Sequence, residues 1–142
     1  MATNMIFKYE EKNTRVRTLA GQTAGGAPLL DPADARPAVT LTATGGFTKT
    51  VTTNLPCGWC SVTGVAAGGE GLATLDATLA YDGTWELPVS GATTGTAQGA
   101  QVYITSGNAL NLTASGNTAY GRVDYPLDYK KVAGVLPVRI GA

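Results

Sequence analysis

The chain has no histidine, two cysteines and little charge: ten Lys plus Arg and ten Asp plus Glu among 142 residues. Each shortage closes off a class of function. Without histidine the usual general base at neutral pH is missing, and neither a Ser-His-Asp nor a Cys-His arrangement can be built within one chain. The usual nitrogen ligand for metals is missing with it. A formal net charge of zero argues against nucleic acid as a partner, because such binding rests on neutralising phosphates. No apolar run approaches the roughly 18 residues of a membrane span. Nor does an uninterrupted apolar stretch of about 7–15 residues open the chain, as it would in a secretory signal. The expectation is a soluble protein that is not visibly exported and not an enzyme, with no cofactor, no metal, no nucleic acid and no membrane among its partners.

What is abundant points to strands. Glycine occurs 19 times, and glycine with threonine disfavours long helices. Charged residues make up 14% of the chain, against about 25% in ordinary domains, so threonine, serine, asparagine and glutamine must cover much of the surface. Apolar residues at 44% suffice for one core. A weakly charged surface suits a protein that assembles.

Period-2 alternation recurs between turn signals. Residues 15–19, RVRTL, set Val16 opposite its flanking arginines. In 38–43 Val39 and Leu41 alternate with Thr40 and Thr42. Ala73, Leu75, Ala77, Leu79 and Tyr81 share one face. Asp82-Gly83 then signals a two-residue hairpin into Trp85, Leu87 and Val89. Pro88 lacks an N–H and should lie at an edge or a strand end. The prolines of LDPADARP, 30–37, exclude a central strand there. Strands at 101–105 and 119–125, with ALNLTA between Ser-Gly-Asn turns, read as a meander, and Leu136, Val138 and Ile140 line a closing strand. The predicted fold is all-β: a small barrel or sandwich of short antiparallel strands with an N-terminal extension. Residues 1–14 form an arm or a first strand, and residues 15–142 a single β domain with a longer inserted segment at 31–58.

LPCGWCSV, 55–62, holds both cysteines as C-x-x-C. A zinc site needs four ligands. A redox dithiol favours a helix start or a nearby cation, and Pro56 with Gly58-Trp59 supplies neither. Cys57 and Cys60 therefore read as small apolar residues near a turn. With Trp59 they are placed to anchor the inserted segment. The acids Asp31, Asp34, Asp76, Asp82, Glu86, Asp124 and Asp128 are scattered, which gives no clear pair for hydrolysis. GATTGTAQGA, 91–100, lacks the Lys-Ser or Lys-Thr end of a phosphate loop.

The second half carries a resemblance. YDGTWELPVSGATTGTAQGAQVYITSGNALNLTASGNTAYGRV, followed by VLPVRIGA, resembles the small phage head-decoration, or cement, proteins. Gly83, Trp85, Leu87 and Pro88 match the family's glycine, aromatic and leucine-proline strand. Gly99, Val102 and Tyr103 match its valine-tyrosine strand. Gly107, Thr113, Gly116-Asn117-Thr118 and Gly121-Val123 follow in order, and Val138, Arg139 and Ile140 match the closing strand. The resemblance covers 64–142, with a weaker likeness over 15–30. The chain departs from it in the longer segment 31–58, in DYPLDYKKVAG before the last strand, and in its first 14 residues.

The resemblance implies a virion structural protein, made in the host cytoplasm, that binds the outer surface of an icosahedral phage head and stabilises contacts between major capsid subunits. Its partners would be the major capsid protein and itself, as a homotrimer. Contact residues are expected at Ile6, Phe7 and Tyr9 in the N-terminal segment and at Tyr125, Leu127 and Tyr129 in the late loop. The alternative is a carbohydrate- or receptor-binding β module of a phage tail or fibre, which would present exposed tyrosines as a platform.

Overall fold

The computed structural model describes residues 5–7, 14–46, 48–54, 61–67 and 72–141. The described residues form strands and turns, with no helix. In chain order the strands are β1 (Met5–Phe7), β2 (Thr14–Thr18), β3 (Pro28–Leu30), β4 (Pro37–Thr40), β5 (Thr48–Asn54) and β6 (Ser61–Ala67). They continue as β7 (Asp76–Ala80), β8 (Gly83–Ser90), β9 (Gln101–Ile104), β10 (Leu110–Asn111), β11 (Thr118–Val123) and β12 (Val135–Ile140). Strands β8, β10, β9, β11 and β12 follow one another in that order, and β12 returns to pair with β8, so these five close a barrel. Closure removes the exposed edges that an open sheet would offer to other chains. A separate sheet runs β2-β7-β4-β3, and β5 pairs with β6.

The barrel follows from alternation. Trp85, Leu87 and Val89 of β8 are buried while Glu86, Pro88 and Ser90 are exposed. Val102, Ile104, Leu110, Tyr120, Val123, Leu136, Val138 and Ile140 complete the same core. Trp85 is fully buried, and its indole N–H donates to the Asp82 carbonyl at 2.9 Å. The second sheet builds its own cluster from Leu19, Leu29, Ala38, Ala77, Leu79 and Tyr81. Its Val39 and Ala80 reach into the barrel cluster. The Tyr120 hydroxyl crosses the other way and donates to the Ala38 carbonyl at 2.6 Å.

Four readings of the sequence change. Asp82-Gly83 does not make a hairpin: β7 belongs to the second sheet and β8 to the barrel. Tyr81 packs in one core and Trp85 in the other, so the chain changes sheets at this turn, where Gly83 takes a φ of +96°. Strand β4 is not one-sided, because Ala38, Val39 and Thr40 are all fully buried between the two cores. Thr40 is accommodated by donating to the Ala24 carbonyl at 2.7 Å and accepting from the Ala27 N–H at 2.9 Å, which removes the cost of burying an unpaired hydroxyl.

The run 101–123 is not a meander, since β10 inserts between β8 and β9 and pairs in parallel with β8. Pro88, finally, lies within a strand paired on both sides. The Val89 N–H donates toward β12, to the Gly134 carbonyl at 2.9 Å. Alternate N–H groups point to opposite edges, so the blank position of Pro88 faces the other edge. There β1 pairs at Trp85 and Thr84, and β10 pairs at Val89 and Ser90. Proline occupies the gap between those two neighbours.

Gly121 marks a tight point of the wall. It follows a register shift between β11 and β9. A Cβ there would sit 2.6 Å from the Arg139 carbonyl oxygen and 2.8 Å from Val138 Cγ1. Gly121→Ala should therefore push β11 from β12 and cost about 1–3 kcal/mol. Urea unfolding checks this, with a lower midpoint and an unchanged slope expected.

Candidate functional site

The late loop was expected to carry contacts, and its residues are held in place by their neighbours. The Tyr129 N–H donates to the Pro126 carbonyl at 3.1 Å, closing a four-residue turn. Asp128, third in that turn, has a φ of +62°, the sign that a type II turn requires at this position. Leu127 is left at the tip, 94% exposed.

Side chains fix both flanks of the turn. The Tyr125 N–H donates to Gln98 Oε1 at 2.7 Å, and the Tyr125 hydroxyl donates to the Thr96 carbonyl at 2.9 Å. Gln98 in turn donates to Asp124 Oδ1 at 2.9 Å. On the other side the Tyr129 hydroxyl donates to Glu86 Oε1 at 3.0 Å. The two tyrosine rings lie 5.8 Å apart and tilted, and Lys131 Nζ sits 4.2 Å over the Tyr125 ring, a cation–π contact. Burial first, then the bond to Glu86 and its negative charge, push the Tyr129 hydroxyl up to about 12. Burial raises Tyr125 as well.

The structure thus brings Tyr125, Leu127 and Tyr129 together on one turn. Ile6 and Phe7 lie on β1, which pairs with β8 at Trp85 and Thr84, next to the Glu86 that holds Tyr129. Tyr9, Cys57, Trp59 and Cys60 lie outside the described residues. Gln98 and Thr96, which anchor the loop, were not singled out in the sequence. Both come from the glycine-rich stretch 91–100, and nothing in its composition links it to residue 125.

One acid turns out to be central to the second sheet. Asp31, one of the scattered carboxylates, is 1% exposed. Arg17 Nε donates to both its oxygens, at 3.1 and 3.0 Å. The Tyr81 hydroxyl and the Ala33 N–H also donate to it. Arg36 lies 4.6 Å over the Tyr81 ring. The RVRT strand therefore turns Arg17 inward to this carboxylate and leaves Val16 half exposed. Burial pushes the Asp31 carboxyl upward, but the bonds from Tyr81, Ala33 and Arg17 outweigh it and hold it below its ordinary value. Burial and the bond to Asp31 push Tyr81 up to about 12. With all its partners in place, Asp31 ties β2 and β7 to the turn between β3 and β4.

Among the described residues no group of three or more His, Cys, Asp or Glu side chains is placed to hold a metal ion. At the end of β10, Asn111 Oδ1 accepts from the Thr113 N–H at 2.9 Å. No family model, no curated protein and no solved structure matches the chain.

The Asp31 cluster contributes at both ends of the pH range. A carboxyl held low in the folded state stabilises fully above its ordinary value near 3.8. That contribution is lost as pH falls through the lowered folded value. A tyrosine raised from 10.0 to about 12 stabilises below pH 10 and loses that contribution as pH rises through 12. Asp31→Asn should cost roughly 2 kcal/mol at pH 7 and flatten the acid limb. Tyr81→Phe should soften the alkaline limb. Denaturation midpoints measured from pH 2 to pH 12 check both.

Proposed function

We propose that this protein is a virion structural protein that binds the outer surface of an icosahedral phage head and stabilises contacts between major capsid subunits. The observation that carries this reading is Leu127, held fully exposed on a turn that Thr96, Gln98 and Glu86 fix through the flanking tyrosines. An apolar side chain presented on an ordered turn loses little conformational freedom when it enters a pocket, and burying a leucine there gains about 1.5–3 kcal/mol. The order of turns and strands over 64–142, which resembles the head-decoration family, supports the major capsid protein as the partner.

The rest of the chain suits this role. A closed barrel with paired edges is a rigid carrier for a contact loop. A net charge of zero allows dense packing on a repeating shell. As a homotrimer the protein would dock one subunit and make the next contacts effectively intramolecular, and closed symmetry would keep it from growing into filaments. Ile6, Phe7 and Tyr9 are assigned the second contact with the shell. The tyrosines do not favour the sugar-platform alternative, because Lys131 covers one ring and the rings are tilted at 42°.

Leu127→Ser tests the assignment without touching the core. Sedimentation of the variant with undecorated heads should show occupancy reduced roughly tenfold or more at limiting protein. A folded variant that decorates heads like the wild type would contradict it. Deletion of residues 2–12 tests the N-terminal contact separately.

A further inference from the structure

A second feature lies where the barrel meets the other sheet. It is a cleft of about 460 Å³ lined by Pro37, Gln101, Arg122, Asp124 and Arg139 among others. Arg122 of β11 and Arg139 of β12 are direct cross-strand partners, so their side chains leave the same face side by side. Like charges placed directly opposite in an antiparallel pair are unfavourable. Their neighbours answer this only in part. Arg122 Nη1 reaches the Gly99 carbonyl at 3.4 Å. Arg139 Nη1 lies 4.0 Å from Asp124 Oδ2, while Asp124 already accepts from Gln98 through its other oxygen. Two arginines and one aspartate leave the lining with a charge of +1.

We propose that this cleft is a binding site for a carboxylate group, held between the guanidinium groups of Arg122 and Arg139. The planar forks of two arginines fit a carboxylate in bidentate geometry. A single negative charge matches the lining, whereas a phosphate dianion would overshoot it and repel Asp124. The cleft is larger than a carboxylate alone, so part of the molecule that carries the group enters with it. The site does not depend on the head-decoration reading. The carboxylate can come from a free organic acid or from an acidic side chain on a protein partner.

Amide chemical-shift titrations of the full chain separate these sources. The probes are butyrate, the capped tripeptide N-acetyl-Gly-Glu-Gly-amide, phosphate and sodium chloride at matched ionic strength. Saturable shifts are expected at Gly99, Gly121, Arg122 and Arg139 with the first two probes. Stronger binding of butyrate assigns a small acid, and stronger binding of the tripeptide assigns a protein side chain. Arg139→Gln should weaken binding about tenfold, and Arg122→Gln gives the same reading from the neighbouring strand should the first variant not fold. Asp124→Asn removes the repelling charge and should tighten binding, an effect that a purely structural role would not produce. Shifts that merely follow ionic strength, or that survive both arginine substitutions, overturn the proposal.

Discussion

The pairing of β8 with β12 is the constraint on which the rest depends. Six residue pairs, from Gly83↔Ile140 to Pro88↔Val135, join the strand that enters the barrel to the one that ends it. Inward, the pairing seals Trp85, Leu87 and Val89 against Leu136, Val138 and Ile140. Outward, it leaves Glu86 where Tyr129 can reach it, while the adjoining pairing of β11 with β12 sets Arg139 beside Arg122. The 125–131 loop is anchored on Glu86, and the arginine cleft is lined by Arg122 and Arg139, all on outer faces of strands whose inner faces make the core. Anchoring on a closed barrel suits both to recognition.

The second sheet is held by different means. It has a smaller apolar cluster and relies on a buried carboxylate whose partners come from β2, β7 and the intervening turn. Breaking such a group apart is costly, because the charge is left without its hydrogen bonds. The sheet then locks to the barrel through Val39, Ala80 and the Tyr120 hydroxyl. Acid would be expected to loosen this sheet before it affects the largely apolar barrel.

Strand existence and inward faces were legible because one face of the barrel wall is buried, which enforces a period of two. Leu136, Val138 and Ile140, and likewise Trp85, Leu87 and Val89, follow that rule. It failed at β4, where two cores cover both faces and alternation carries no information. It failed again at Asp82-Gly83, where a good hairpin signal serves a change of sheet. The order of strands, with β10 beside β8, depends on contacts far apart in sequence. For the same reason the anchoring of Tyr125 by Gln98 and the pairing of Arg122 with Arg139 were invisible, although the alignment of Leu136, Val138 and Ile140 turned Arg139 outward. Asp31 looked like one more surface acid because nothing local marks it as buried: its ligands lie at positions 17, 33 and 81.

Electron cryomicroscopy of phage particles incubated with the protein tests the proposed location most directly. Density for the barrel should lie on the outer surface of the head, at three-fold or quasi-three-fold positions, with the Leu127 turn facing the major capsid protein. Density confined to the tail or its fibres would contradict the account and transfer the chain to the receptor-binding class.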